Sequence, residues 1–296
     1  MKILKFLAFI FLPLASIAQS VNAPLNSDYY HLIDRYEIKS GRIAPQYFSS
    51  WKAYQRSQIA DFVDTVSTFN NLSSVDRFNL EYLKNDNWEW FDQVDNESKK
   101  PILKHFYKVK SDLYNVKTKD FDLHLNPVLH FSVGTESASD ELTYINVRGV
   151  ELRGMIDKKV GFYSFLGESQ MRMPLYVRDN IDDNQVVPHE GFWKNFGDNG
   201  VDFFTARGYI SFQATKHINL QFGHDRFKIG NGYRSLILSD FAPAYLFLKA
   251  NTKIWKLNYT NLFTEMTADV QSSSTGLTGS DEFPRKFMAL HHLSMN

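Results

Sequence analysis

The chain has 296 residues with 33 Lys and Arg against 33 Asp and Glu, so its formal charge is zero and it lacks the basic excess of a nucleic-acid-binding protein. Apolar residues make up 43% and aromatics 15%, enough to build a core or coat a bilayer and too much for a disordered chain. There is no cysteine, which excludes disulfide scaffolds, Cys-ligated zinc or iron–sulfur centres, thiol nucleophiles and a lipid-modified N-terminal Cys.

Met1 to Lys5 is a short basic stretch, and Phe6 to Ile17 is an almost unbroken apolar run. Ser16-Ile17-Ala18 then sets small residues three and one before a cut at Ala18/Gln19. A run of about 12 apolar residues falls short of the ~20 that a helix needs to cross a bilayer, so residues 1–18 read as a cleaved secretory signal rather than an anchor. No later segment holds 18 consecutive apolar residues, so a helical membrane protein is not expected. The export signal leads to the periplasm, the cell surface or the outer membrane.

Residues 19–110 are expected to form a small helical region, a plug or a periplasmic cap. Ile59, Phe62, Val63 and Val66 follow the i, i+3, i+4, i+7 spacing of one helix face. A second helix is expected near 74–85, where Ser73 and Asp76 have capping-box spacing and Val75, Phe78 and Tyr82 share a face. Pro45, Pro101 and the polar stretch from Asp92 to Lys100 break the region into short pieces.

Near Asp120 the period changes to two. Phe121, Leu123, Leu125, Pro127, Leu129, Phe131 and Val133 alternate with mostly polar residues, including His124 and His130. The same pattern recurs from Phe204 to Ala214, from Ile218 to Phe222 and from Trp255 to Phe263. In 142–156 the parity shifts between Ile145/Val147 and Val150/Leu152, which a bulge at Gly149 would reconcile. Eight strands are expected: 120–133, 142–156, 160–170, 201–214, 217–226, 241–250, 253–265 and 286–296. Their joins alternate between short ones (157–159, 215–216, 251–252) and long ones (134–141, 171–200, 227–240, 266–285). Alternating tight turns and long loops are what a barrel spanning an outer membrane shows at its two rims. Inside lipid only a closed sheet leaves no unpaired backbone edge. The fold class expected is therefore an all-β transmembrane outer-membrane barrel over 111–296. Its rival is a soluble β-sandwich with the same alternation.

Residues 221–249, which contain Gly230-Asn231-Gly232-Tyr233-Arg234-Ser235-Leu236, resemble the Wzi-like capsule-assembly outer-membrane proteins, most of all the Bacteroidetes form that includes the RemB-like proteins of gliding motility. His105-Phe106-Tyr107, the stretch 120–131 and the stretch 286–294 share the resemblance. It implies an outer-membrane barrel with a small helical periplasmic region, associated with the attachment or assembly of capsular or other surface polysaccharide. It also implies more strands than eight, so the stretch seen here would be part of a larger, truncated barrel.

Arg226, Lys228, Tyr233 and Arg234 in that loop, with Arg207 and Tyr209 on a neighbouring strand, are the candidate polysaccharide-binding residues. Arg binds carboxylates bidentately, and Tyr offers a flat apolar face beside a hydroxyl. Structural pairing of Arg226 or Arg234 with Asp225 or Asp240 is the competing reading. The glycines of 230–235 lack the Lys-Ser/Thr of a phosphate loop. His291 and His292 are adjacent on a strand and so point to opposite faces. Asp179 to Asn184 is an acidic loop without the EF-hand Gly and Glu. Glu168, Glu190 and Asp202 have no spacing that defines a glycosidase pair. No catalytic residue, metal or other cofactor is therefore expected. The partners expected are surface polysaccharide, outer-membrane lipid, and motility or export machinery. Three functions follow as expectations: polysaccharide binding or organisation, a surface role in gliding motility, and a diffusion pore.

Overall fold

A computed structural model describes residues 20–25, 29–92, 94–191, 193–268 and 284–296; the signal segment and the cut at Ala18/Gln19 lie outside these residues. In chain order the elements are α1 (Tyr29–Ser40), β1 (Trp51–Lys52), α2 (Arg56–Ser67), α3 (Ser74–Asp86), β2 (Tyr114–Lys117), β3 (Phe121–Glu136), β4 (Ser139–Ile156) and β5 (Val160–Arg172). There follow α4 (Leu175–Asn184), β6 (Lys194–Phe196), β7 (Gly200–Gln213), β8 (Ile218–Asp225), β9 (Lys228–Ile229), β10 (Tyr245–Ile254), β11 (Leu257–Thr267) and β12 (Arg285–Met295). No described helix is long and apolar enough to cross a membrane.

All eight strands expected from the alternation are present, in one antiparallel sheet of order β12-β11-β10-β8-β7-β5-β4-β3-β2, with β6 continuing the line of β8 beside β7. The sheet is not closed: among the described residues β2 and β12 are its two edges and do not pair with each other. It is nevertheless curled. Inward side chains of β5, β7, β10 and β11 (Tyr163, Tyr209, Phe247, Leu262) meet Trp51 in one buried cluster, against which Met288 and Leu290 of β12 pack. Side chains on strands five places apart in a flat sheet would lie roughly 24 Å from one another, at ~4.8 Å per strand.

Register places apolar residues along one row of the sheet: Leu123, Gly154, Phe162, Ile210, Phe222, Leu248, Phe263 and Ala289 are successive partners across eight strands. The next row, on the opposite face, runs His124, Arg153, Tyr163, Tyr209, Gly223, Phe247, Thr264 and Met288. Polarity is inverted over much of the sheet, although the aromatic cluster around Trp51 is also buried on the covered face. Phe131 is 75% exposed and Phe204 64%, whereas Asp122, His124, Arg153, Gln221, Lys249 and Thr260 are buried. A Cβ at Gly223 would lie 2.3 Å from the Gly208 carbonyl oxygen and 2.5 Å from Tyr209 Cα and Cβ, so β7 leaves no room for a side chain there.

Several joins differ from expectation. The connection expected to be long at 134–141 is a tight turn, because β3 and β4 run on to Glu136 and Ser139; the irregularity in their pairing lies between Gly134 and Glu136, and there is no bulge at Gly149. Ile145 and Val147 instead keep the inward parity, while outward Arg148 of β4 faces Glu168 of β5 at 3.4 Å. The β10–β11 turn is at Trp255-Lys256, with Trp255 at φ 52°, rather than at 251–252, so Trp255 is a turn residue at the rim. Asp179 to Asn184 is the second half of α4 rather than a loop.

The helical region fills the covered face of the sheet. Ile59, Phe62, Val63 and Val66 of α2 pack with Ile33, Tyr36 and Leu83 into its core, as their spacing requires. The capping box at Ser73 and Asp76 is formed in both directions. The face that α3 buries, however, is Asp76, Leu80 and Leu83; Val75, Phe78 and Tyr82 are exposed. The physical reason is Asp76, drawn inward by Lys39 and by Arg35 at 3.0 Å, both on α1. Those cations and the Ser73 hydrogen bonds hold its carboxyl well below the usual carboxylate range. A depressed folded-state value contributes stability above the unfolded value near ~3.9, which is lost as pH falls through that value toward the folded one. Thermal melts of wild type should therefore drop between about pH 4 and pH 2, whereas an Asp76→Asn variant, lower at neutral pH, should show a smaller drop.

One short strand pairing and a hydrogen bond pin this region to the β segment. β1 pairs with β9 (Trp51 with Ile229, Lys52 with Lys228), and the Asn22 backbone N–H donates to the Tyr209 hydroxyl at 2.7 Å. Tyr209→Phe leaves that buried N–H without its acceptor and is expected to destabilise by about 1–3 kcal/mol in urea titrations.

Candidate functional site

The loop carrying most of the candidate residues, 226–244, turns back into the covered face before it reaches outward. Phe227 is buried, its N–H donating to the Tyr245 hydroxyl at 3.1 Å, and β9 then pairs with β1. Gly230 turns the chain at φ 100° while its N–H donates to the Ser50 carbonyl at 2.8 Å. The return is fastened by Ser235, whose hydroxyl accepts from the N–H groups of Ile237 and Leu238, and by an Ile229 N–H to Leu238 O bond of 3.0 Å. Between these clamps the tip 231–237 is largely exposed.

At the tip Arg234 lies between two rings, 4.9 Å from the Tyr233 centroid and 4.7 Å from that of Phe241. Phe241 also meets the His189 ring at 4.6 Å. Tyr233 is 86% exposed, and Arg234 makes no ion pair with Asp225 or Asp240. An exposed guanidinium framed by aromatic faces presents bidentate donors and stacking surfaces together.

The other candidates have different places. Lys228 is in β9, with its ammonium 3.4 Å from the Tyr233 carbonyl. Arg226 is held beneath the loop, donating to the Ala242 carbonyl at 3.2 Å. Arg207 is on the covered face, 3.7 Å from the Asp225 carboxylate and over the Phe165 ring at 4.5 Å. Tyr209 is buried against Tyr163. The structure thus assembles Lys228, Tyr233 and Arg234 at the tip. Arg226, Arg207 and Tyr209 lie within the packing that supports the loop, so they are not surface contacts. The ion pairing weighed from sequence, Arg226 or Arg234 with Asp225 or Asp240, is not formed among the described residues; Asp225 pairs with Arg207 instead.

The chain has no match among the families of known proteins, the curated proteins or the solved structures with which it was compared.

Below the loop, a buried charge network joins the helical region to β3 and β4. Arg153 pairs with Glu89 and donates to the Asp86 carbonyl at 3.1 Å. Arg56 reaches the Asp86 carboxylate at 2.9 Å, the Asn87 amide oxygen at 3.0 Å and the Tyr29 hydroxyl at 3.0 Å. Asp112 accepts from Trp88 Nε1 at 2.7 Å and Asn126 at 3.1 Å, and lies 2.8 Å from His124 Nδ1. Burial alone would raise the Asp112 carboxyl, but these hydrogen bonds and the charges of His124 and Arg153 hold it well below its ordinary range. Arg56, Asn87, Asp112, His124 and Arg153 are buried and Asp86, Trp88 and Asn126 partly so, and the arrangement is that of a fastening between two layers. No spacing in the sequence points to it, because its residues come from segments dozens of positions apart. Phe241, inside the strand expected at 241–250, instead lies in the loop ahead of β10, which begins at Tyr245.

His291 and His292 do point to opposite faces: His291 bonds Asn261 at 2.7 Å, and His292 meets the Trp51 ring at 5.6 Å.

Proposed function

We propose that this chain is an outer-membrane barrel protein, or the larger part of one, that binds or organises surface or capsular polysaccharide through the loop tip at Arg234. The observation that carries the reading is the inverted polarity of the sheet, combined with an exposed cation–aromatic cluster on the rim of long connections. A sheet with large apolar side chains on its open face and buried Asp, Arg, Lys and Gln on its covered face fits lipid outside and a polar interior. β10 and β11, of 10 and 11 residues, have the length that a tilted membrane strand needs. Trp255 and Lys256 at one rim suit the boundary between lipid tails and head groups. The packing of Trp51 and the charge network into the covered face supports a plugged barrel over a diffusion pore.

The test is binding of the purified, detergent-solubilised chain to surface polysaccharide isolated from the producing bacterium. Arg234→Ala is expected to weaken binding about tenfold or more, the value of a charge-assisted hydrogen bond. Fractionation into the soluble phase, or equal binding by wild type and Arg234→Ala, would refute the reading. Normal capsule with lost spreading in a deletion strain would shift the role to motility.

A further inference from the structure

On the covered face, between the helical region and β7, β8, β10 and β11, lies a polar cavity of about 300 Å³. That is the lower end of the range of small-molecule sites. Its floor is the inward face of four antiparallel strands, where register sets Gln213, Asn219 and Asn251 side by side and Thr260 next to Asn251. Thr260 donates to the Asn251 amide oxygen at 2.7 Å and Asn258 to Thr260 at 3.4 Å, so the floor is a fixed lattice. Carboxamides of Asn and Gln are the commonest group in its lining.

Lys249 also lines this cavity and is 7% exposed. Among the described residues no carboxylate comes within 4.0 Å of its ammonium. The nearby Asp225 is instead engaged by Arg207. The contacts shown for Lys249 are ring faces, Phe227 at 4.6 Å and Trp51 at 5.8 Å. Two aromatic faces offset part of the lost hydration of an ammonium but accept none of its hydrogen bonds in the way an oxygen does. Trp51 Nε1, beside it, has no hydrogen-bond partner either. Lys216 and Lys253 add positive charge to the lining, against the single carboxylate of Asp61 on α2. Lys253 is turned partly toward the Pro45 and Gln46 carbonyls, at 3.4 and 3.5 Å.

The two halves of this chemistry select a ligand class. A bare anion wants donors alone, and the amide oxygens of the floor would repel it. A neutral sugar leaves Lys249 without a counter-charge. Hydroxyl groups both donate and accept, as carboxamides do, and one carboxylate meets one ammonium. We propose that this cavity is a subsite for an acidic sugar residue, with the carboxylate on Lys249 and the hydroxyls on the Asn/Gln floor. It is separate from the Arg234 tip, and it rests on the polysaccharide-binding reading above by naming the chemical class of the glycan.

The full-length protein in detergent, titrated calorimetrically with trigalacturonate and in parallel with maltotriose, tests this. Trigalacturonate is expected to bind at least tenfold more tightly than maltotriose. Lys249→Met should lose at least tenfold of that affinity while melting no lower than wild type, since it removes an ammonium that lacks a counter-charge. Asn251→Asp, near-isosteric and still able to accept from Thr260, should cause a comparable loss by placing a carboxylate in the floor. Undiminished binding by both floor variants, or maltotriose binding as tightly as trigalacturonate, overturns the proposal. Binding of the isolated surface polysaccharide without any trigalacturonate binding sinks this subsite and leaves the broader reading standing; binding of neither removes both.

Discussion

Arg153→Met is expected to destabilise the protein by about 3–5 kcal/mol, because it strands the Glu89 carboxylate inside the molecule. The side chains of this pair are 4% and 2% exposed, so water cannot replace the lost partner. The same guanidinium also satisfies the Asp86 carbonyl, which in turn stands beside the Arg56 contact. The loss should therefore spread through the layer that fastens α3 to β4. The double variant Arg153→Met/Glu89→Leu removes both charges and should recover most of the deficit, since an apolar pair of similar volume is often as stable as a buried ion pair. Equilibrium denaturation of the two single variants and the double variant gives the coupling. A single Arg153→Met variant within about 1 kcal/mol of wild type would show that the pair is reached by solvent.

On the proposed outer-membrane reading, Phe222→Arg is expected to cost about 2–4 kcal/mol in folding from the unfolded chain into bilayers, the penalty for a cation facing lipid near the midplane. Phe222 lies in the middle of the outward apolar row, with Ile210 and Leu248 as its neighbours on either side. The prediction has a sign that separates environments. If the open face were in water, the half-exposed Phe222 could become Arg at a cost within about 0.5 kcal/mol, and solubility would rise. In lipid the same change should reduce both refolding yield into vesicles and the heat-modifiable fraction on gels. Refolding titrations of wild type and variant into vesicles, beside the same pair in detergent-free buffer, read the difference directly.

Much of the sheet was legible because strand alternation is a local property. The side chains of Phe121, Leu123 and Leu125 take the face opposite to Asp122 and His124 by backbone geometry alone, whatever the rest of the chain does. Register follows from keeping those faces continuous from strand to strand. The helix at Ile59 to Val66 and the capping box at Ser73 and Asp76 were likewise written in spacings of three and four residues.

The misplaced features all depend on contacts between distant segments. Val75, Phe78 and Tyr82 form the more apolar face of α3, yet the cations of α1 draw Asp76 inward and turn the opposite face to the core. Sequence spacing marked Arg226, Lys228, Tyr233 and Arg234 as one loop. Which of them reaches the surface depends on β9 pairing with β1, a partner more than 170 positions away. Lys249 carried a faint signal, a lone cation in the apolar run Tyr245 to Ala250, but its aromatic neighbours Trp51 and Phe227 come from other parts of the chain.

The sequence by itself determined the antiparallel strands, their apolar and polar faces and the helical segment ahead of them, because each is a repeat over neighbouring residues. Tertiary structure alone decided which face of the sheet is covered, that Trp51 and the 226–244 loop fill that face, and that Arg234 is left outside while Lys249 is enclosed. Those outcomes depend on desolvating charged and aromatic groups against partners that only the assembled chain brings within reach.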